Sequence, residues 1–200
     1  MHRSYPLTFE VASPLAPFER AHVALRIIVL FFLGLLGLSV CALAGIVYVA
    51  LPIAAAVLAP PPGTTQRRET VRMVGWIRWI MDASAYFALV TDELPTEAGH
   101  DPVRLEVVPT GVPTVGSALL RLVKSIPAAI VLGLLTAIGT VVWLIAAVSI
   151  LVCRRYAAGL RTYLIGVLRY QARLLAYHAS LVTEYPPFEL DEAHPSIASS

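Results

Sequence analysis

Two groups of arginines carry the densest chemistry in this chain: Arg67, Arg68, Arg72 and Arg78 in one, and Arg154, Arg155, Arg161, Arg169 and Arg173 in the other. A guanidinium keeps its charge at any physiological pH, and its planar fork matches phosphate and carboxylate oxygens. On a helical wheel the first four, together with Asp82, fall within an arc of about 140°, and the other five within about 120°. Met73, Ile77, Ile80 and Phe87 lie opposite the first stripe; Leu160, Leu164, Val167, Leu174 and Leu175 lie opposite the second. The remaining reactive types are scattered. Asp92, Glu93, Glu97, Glu189, Asp191 and Glu192 fall in loops and tails with no nucleophile–base pair and no paired carboxylates. Cys41 and Cys153 sit in apolar segments with no companion ligand nearby, the pattern of neither a metal site nor a disulfide framework. His22 and His178 stand where a haem or pigment ligand could stand, but neither has a second ligand at metal spacing, so packing or headgroup contact is expected of both. His2, His100 and His194 suggest no site. The expectation is a non-enzymatic protein with no catalytic residue, no cofactor and no metal.

Composition decides what the arginines could meet. The chain is 58% hydrophobic and only 14% charged, where soluble domains carry about 25% charge. That balance, with a mean hydropathy of +0.74, places the chain in a membrane. A net charge of +2 without a basic domain argues against nucleic acid. Two long runs, 27–59 and 126–153, contain no charged residue, and each exceeds the roughly 20 residues that cross a bilayer core. Each is expected to be one spanning helix, the first kinked at Pro52. A cleaved leader is disfavoured for the first run, because it is far longer than a signal core and ends at Pro60.

The same order of parts is written twice. "YPLTFEV" at 5–11 matches "DPVRLEV" at 101–107, and "GWIRWIMDASAYFALVTDELP" at 75–95 matches "GVLRYQARLLAYHASLVTEYPPF" at 166–188. Each half reads as a short alternating strand, a spanning helix, a basic turn and an arginine-striped amphipathic helix. The expected units are 1–96, with an amphipathic helix over 68–91, and 97–190, with one over 155–183, followed by a flexible tail over 191–200. The two strands are expected to pair, since neither is stable alone. The fold class is all-α membrane protein with short surface strands.

Two poses suit the amphipathic helices. At the interface, their arginines would reach lipid phosphates while Trp76, Trp79, Tyr163, Tyr170 and Tyr177 anchor at headgroup depth. Turned inward, the stripes would form the polar face of a four-helix bundle, with Arg78 and Asp82 paired one turn apart. Topology is in conflict with itself: one crossing per half inverts the halves and puts the basic turns on opposite sides, whereas two crossings draw arginines into the membrane. A hairpin within either apolar run is discounted for want of a turn signal.

The stretch "RRYAAGLRTYLIGVLRYQARLLAYHASLVTEYPPFELDE", preceded by "RLVKSIPAAIVLGLL", resembles an uncharacterised family of bacterial and archaeal integral membrane proteins. The resemblance covers nearly all of the second half, and the first half reads as a degenerate copy. It implies an architecture and a prokaryotic, plasma-membrane location, and no reaction. Thr183 to Phe188 ends the last helix, because two prolines cannot continue it. Tyr185, Pro186, Pro187 and Phe188 either pack back as an anchor or dock a partner, since a stiff proline segment loses little entropy on binding. The expected function is a structural or accessory subunit of a membrane complex that binds anionic headgroups and packs against other subunits or itself. The alternative is a small transporter or channel, for which the spans offer only Ser39, Thr136, Thr140 and Ser149 as polar side chains.

Overall fold

The computed structural model describes residues 5–12, 18–35, 40–57, 66–93, 102–110, 115–153 and 156–190. Along the chain these form β1 (Leu7–Val11), α1 (Arg20–Leu35), α2 (Val40–Val57), α3 (Gln66–Phe87), β2 (Val103–Val107), α4 (Val115–Lys124), α5 (Ile126–Cys153) and α6 (Ala158–His178).

Alternation makes the strands. In β1, Leu7 and Phe9 point inward and Thr8 and Glu10 outward; in β2, Val103 and Leu105 point inward and Arg104 and Glu106 outward. The two pair antiparallel, Leu7 opposite Val107, Phe9 opposite Leu105 and Val11 opposite Val103. A two-stranded ribbon is not stable on its own in water. Here its apolar face joins Met73, Ile77, Met81 and Ala85 of α3 and Leu164, Leu168, Ala172 and Leu175 of α6 in the main core.

α6 lies between the ribbon and α5. Tyr170 Oη donates to Ala128 O (3.3 Å) and Tyr163 Oη to Leu135 O (2.9 Å), so α6 runs antiparallel to the first half of α5. On the other side, Arg169 Nε donates to Phe9 O (3.3 Å) and an Arg161 Nη to Ala12 O (2.7 Å). Around the helix axis, Tyr163 and Tyr170 stand roughly 180° from Arg161 and the ribbon-facing Leu168 and Ala172. The layers are therefore α5, α6 and ribbon, in that order.

α3 and α6 point in opposite directions. His178 at the end of α6 meets Ser125 at the start of α5. Phe87 at the end of α3 receives the indole N–H of Trp143 (2.8 Å), 18 residues further along. α1 covers this second half of α5, with Phe18 and Val23 against Ala147 and Ile150.

Several expectations are corrected. The described residues of the run 27–59 lie in α1 and α2, and the expectation of a single helix falls partly on 36–39 and 58–59, outside the described residues. α1 packs on α5, while α2 packs on α4 and α6. One helix, α5, is long and apolar enough to cross a membrane, and its bounds are those expected. α4 was not anticipated. Pro127 has no N–H for Val123 O, so one rung is missing where α4 gives way to α5, while Ser125 N–H still bonds Arg121 O (2.9 Å) and Ser125 O accepts Ala129 N–H (2.8 Å). The amphipathic helices are shorter than expected at the C-terminal end, stopping at Phe87 and His178 instead of 91 and 183. The tail 191–200 lies outside the described residues.

Phe9 is fully buried at the centre of the ribbon. Phe9→Ala is expected to lower unfolding free energy in detergent by about 3–5 kcal/mol, the range for emptying a buried aromatic site. Thr8→Ala on the outer face should stay within about 0.5 kcal/mol.

Candidate functional site

The described arginines of the second stripe turn inward. Arg173 is 4% exposed and donates to Glu189 O (2.7 Å); Arg169 reaches Leu190 O (2.7 Å) as well as Phe9 O. With Arg161 on Ala12 O, these side chains bind the ribbon and the C-terminal segment to α6. A carbonyl-lined site accepts guanidinium N–H groups as readily as phosphate does, so the stripe pattern alone could not separate the two poses. In the first stripe, Arg78 reaches towards Leu105 O (3.5 Å) and Asp82 is buried, whereas Arg72 is exposed. Arg67 and Arg68 begin α3, and their side chains lie outside what is described; Arg154 and Arg155 lie outside the described residues.

The expected anchors divide in the same way. Tyr170 and Tyr177 are buried, the first against Ala128, the second in the main core, because α5 and the C-terminal segment cover α6. Trp76 and Trp79 are exposed at 42% and 61%. The Arg72 guanidinium lies 5.7 Å from the Trp76 ring centroid. Arg72, Trp76 and Trp79 thus form a cationic-aromatic patch on α3.

The segment after α6 folds back as a strap. Tyr185 meets the Tyr177 ring edge-on (5.7 Å), Phe188 stacks on Tyr170 (6.3 Å), and Leu190 reaches Gly166. A Cβ at Gly166 would stand 3.0 Å from Leu190 Cβ and 3.3 Å from its carbonyl oxygen, so a side chain there would push Leu190 away by a few tenths of an ångström. Pro186 is buried, Pro187 half-buried, and Tyr185 and Phe188 remain 39% and 60% exposed. The strap is fixed at its root by Glu184, whose carboxylate accepts Thr110 Oγ1–H (2.8 Å) and the Thr183 N–H (3.2 Å). The Thr110 bond, ahead of the other contacts, holds the Glu184 carboxyl below its ordinary range.

Two further arginines, one buried and one half-buried, lie outside both stripes. Arg26 of α1 donates to Tyr86 O and Thr91 O (both 3.0 Å), pairs with Asp92 and lies 3.7 Å over the Tyr86 ring. Arg121 of α4 donates to Tyr177 O and Val182 O and lies 5.1 Å over the Tyr177 ring. Both close a helix C-terminus whose last carbonyls have no partner within the helix. The two helices also end in the same turn: Val90 N–H returns to Ala85 O and Leu181 N–H to Ala176 O (both 3.0 Å). Leu89 (φ 59°) and Ser180 (φ 58°) supply the left-handed residue each turn needs. Tyr86 and Tyr177, Leu89 and Ser180, Thr91 and Val182 are each 91 positions apart. The visible signal was a lone arginine in matching apolar contexts, "ALRIIVL" and "LLRLVKS".

A third polar cluster sits where α4 meets α5. Ser125 Oγ–H donates to Leu122 O (2.8 Å) and receives Tyr48 Oη–H (2.6 Å) and His178 Nε2–H (2.5 Å). Because the serine proton is committed to a carbonyl, the imidazole donates to the hydroxyl instead of activating it. Burial pushes His178 down to about 4, so the ring is neutral. His22 lies half-exposed near Glu19 and Asp92, both at 3.5 Å. Cys153 is exposed, and the side chain of Cys41 lies outside what is described.

Residues 116–189, from α4 through the strap, match the Domain of unknown function (DUF4389). No curated protein and no solved structure matches the chain.

Arg26→Met leaves two buried carbonyls and Asp92 without their partner, and should cost about 3–5 kcal/mol in detergent denaturation. For His178 the folded value lies below the ordinary 6.5, so its contribution is complete above pH 6.5 and is lost as pH falls towards 4. Melting temperature should drop over that window, and His178→Phe, the residue type of position 87, should flatten the drop.

Proposed function

We propose that this chain is a non-enzymatic, membrane-embedded accessory protein that binds anionic lipid headgroups and packs against other membrane subunits. One observation carries the reading: α5 is 28 residues long without a charge, and its large apolar side chains from Ile126 to Val152 stand exposed along one side. An uncovered apolar surface of that length belongs against hydrocarbon or another apolar protein surface. The exposed part of the strap, Tyr185 and Phe188, offers a rigid aromatic ridge to such a partner, held in place by Pro186.

Headgroup binding is centred on Arg72, exposed beside Trp76 and Trp79, with Arg67, Arg68, Arg154 and Arg155 added from sequence. The chain is further read as a duplicated unit, supported by the matched helix-end turns, the matched arginines and the antiparallel pairing of one strand from each half. The resemblance of the second half to bacterial and archaeal membrane proteins supports a prokaryotic plasma membrane.

The test is native mass spectrometry of protein purified from its own membrane. Anionic lipid and at least one further subunit are expected to remain bound. Arg72→Ala should weaken retention of phosphatidylglycerol about fivefold, the equivalent of the roughly 1 kcal/mol that one arginine contributes near an anionic surface. Arg173→Ala should lower melting temperature and leave lipid retention unchanged. Equal lipid loss in both variants would refute the assignment.

A further inference from the structure

The direction in which polarity changes across this molecule bears on how it meets a bilayer. Along α5 nothing changes: the exposed apolar side chains continue from Ile126 to Val152, about 40 Å at 1.5 Å per residue. Across the layers everything changes. The exposed side of α5, at Ile130, Leu134 and Ile138, lies roughly 150° around its axis from Ala128 and Gly139, which face α6. Beyond α6 comes the ribbon, whose outer face is Thr8, Glu10, Arg104 and Glu106, with Arg104 bonded to Glu106 (2.6 Å).

We propose that the protein lies flat in one leaflet, with α5 in the hydrocarbon parallel to the membrane plane and the ribbon facing water. This rests on the membrane-embedded reading above and adds an orientation to it. The gradient belongs to the whole molecule: α5 is apolar throughout, and the charged face is two layers away at the ribbon, as in a protein with one side in acyl chains and the other in water. Thickness agrees: one helix layer of about 10 Å fits within the roughly 15 Å hydrocarbon half of a bilayer. Length agrees too, since upright α5 would overshoot a 30 Å core by about 12 Å. Upright, α5 would also carry the ribbon sideways into the lipid zone, because β1 runs beside the part of α6 that packs on the first half of α5.

The experiment labels full-length protein with a membrane-impermeant maleimide in spheroplasts and in inverted membrane vesicles. Three single-cysteine forms are used: native Cys153 in Cys41→Ser, and Lys124→Cys and Thr8→Cys in Cys41→Ser/Cys153→Ser. All three sites are exposed, and each form is checked for full labelling in detergent. The flat pose expects all three to react from the same side, with labelling lost from the other. Reaction of Lys124→Cys and Cys153 from opposite sides would overturn it and favour a crossing assembly in which ribbons line a sheltered, water-filled space. Thr8→Cys protected in membranes but reactive in detergent would overturn it as well. An alkaline carbonate wash separates the two levels: release of the protein from the vesicles would refute the membrane reading itself, while retention with opposite-side labelling would refute the orientation alone.

Discussion

A two-stranded ribbon has one face that water will not tolerate, and the arrangement of this protein depends on how that face is covered. Leu7, Phe9, Val103 and Leu105 cannot be buried by the ribbon itself. They are buried by α3 and α6, one amphipathic helix from each half of the chain. The strands lie nearly a hundred residues apart, so pairing them brings the two halves together. Backbone carbonyls of β1 and the strap then present acceptors along α6, and Arg161, Arg169 and Arg173 meet them. The described arginines of the second stripe are the fastening of the ribbon and the strap.

Arg26 and Arg121 solve a related problem at the helix ends. A helix that stops inside a protein leaves carbonyls that must find donors. Arg26 reaches the end of α3 from α1, and Arg121 reaches the end of α6 from α4, each also lying over the ring of the tyrosine whose carbonyl it binds. α1 is thereby tied to α3, and α4 to α6, by charge-assisted bonds where packing alone would let the helices slide. Asp92 accepts both Arg26 and the Glu19 N–H at the start of α1, adding a carboxylate at the positive end of that helix.

These ties define a layered body with an apolar side at α5 and a charged side at the ribbon. The α3 patch of Arg72, Trp76 and Trp79 supplies the side chains that suit the boundary between the two. The halves are not equivalent in this respect: α6 is covered by α5 along its length, while α3 leaves two tryptophans exposed. α3 and α6 share the form of their helix-end turns and their place against the ribbon, and differ in what covers their outer faces.

Read alone, the sequence determined one helix long and apolar enough to cross a membrane, α5, with its bounds, both strands with their inward residues, and the existence of two amphipathic helices. Each of these rests on local periodicity or composition, which survive without tertiary context. It could not determine which neighbours the parts of the apolar run 27–59 pack against, because an uncharged stretch looks the same whichever surface covers it. Nor could it orient the arginine stripes, since a carbonyl-lined protein surface and a phosphate-lined bilayer surface ask for the same guanidinium. Tyr170 and Tyr177 read as interfacial for the same reason, and became core only when α5 and the strap closed over them. The tertiary structure decided these points because each depends on which acceptors lie across a gap, and hydrogen-bond geometry between distant segments leaves no periodic trace in the chain.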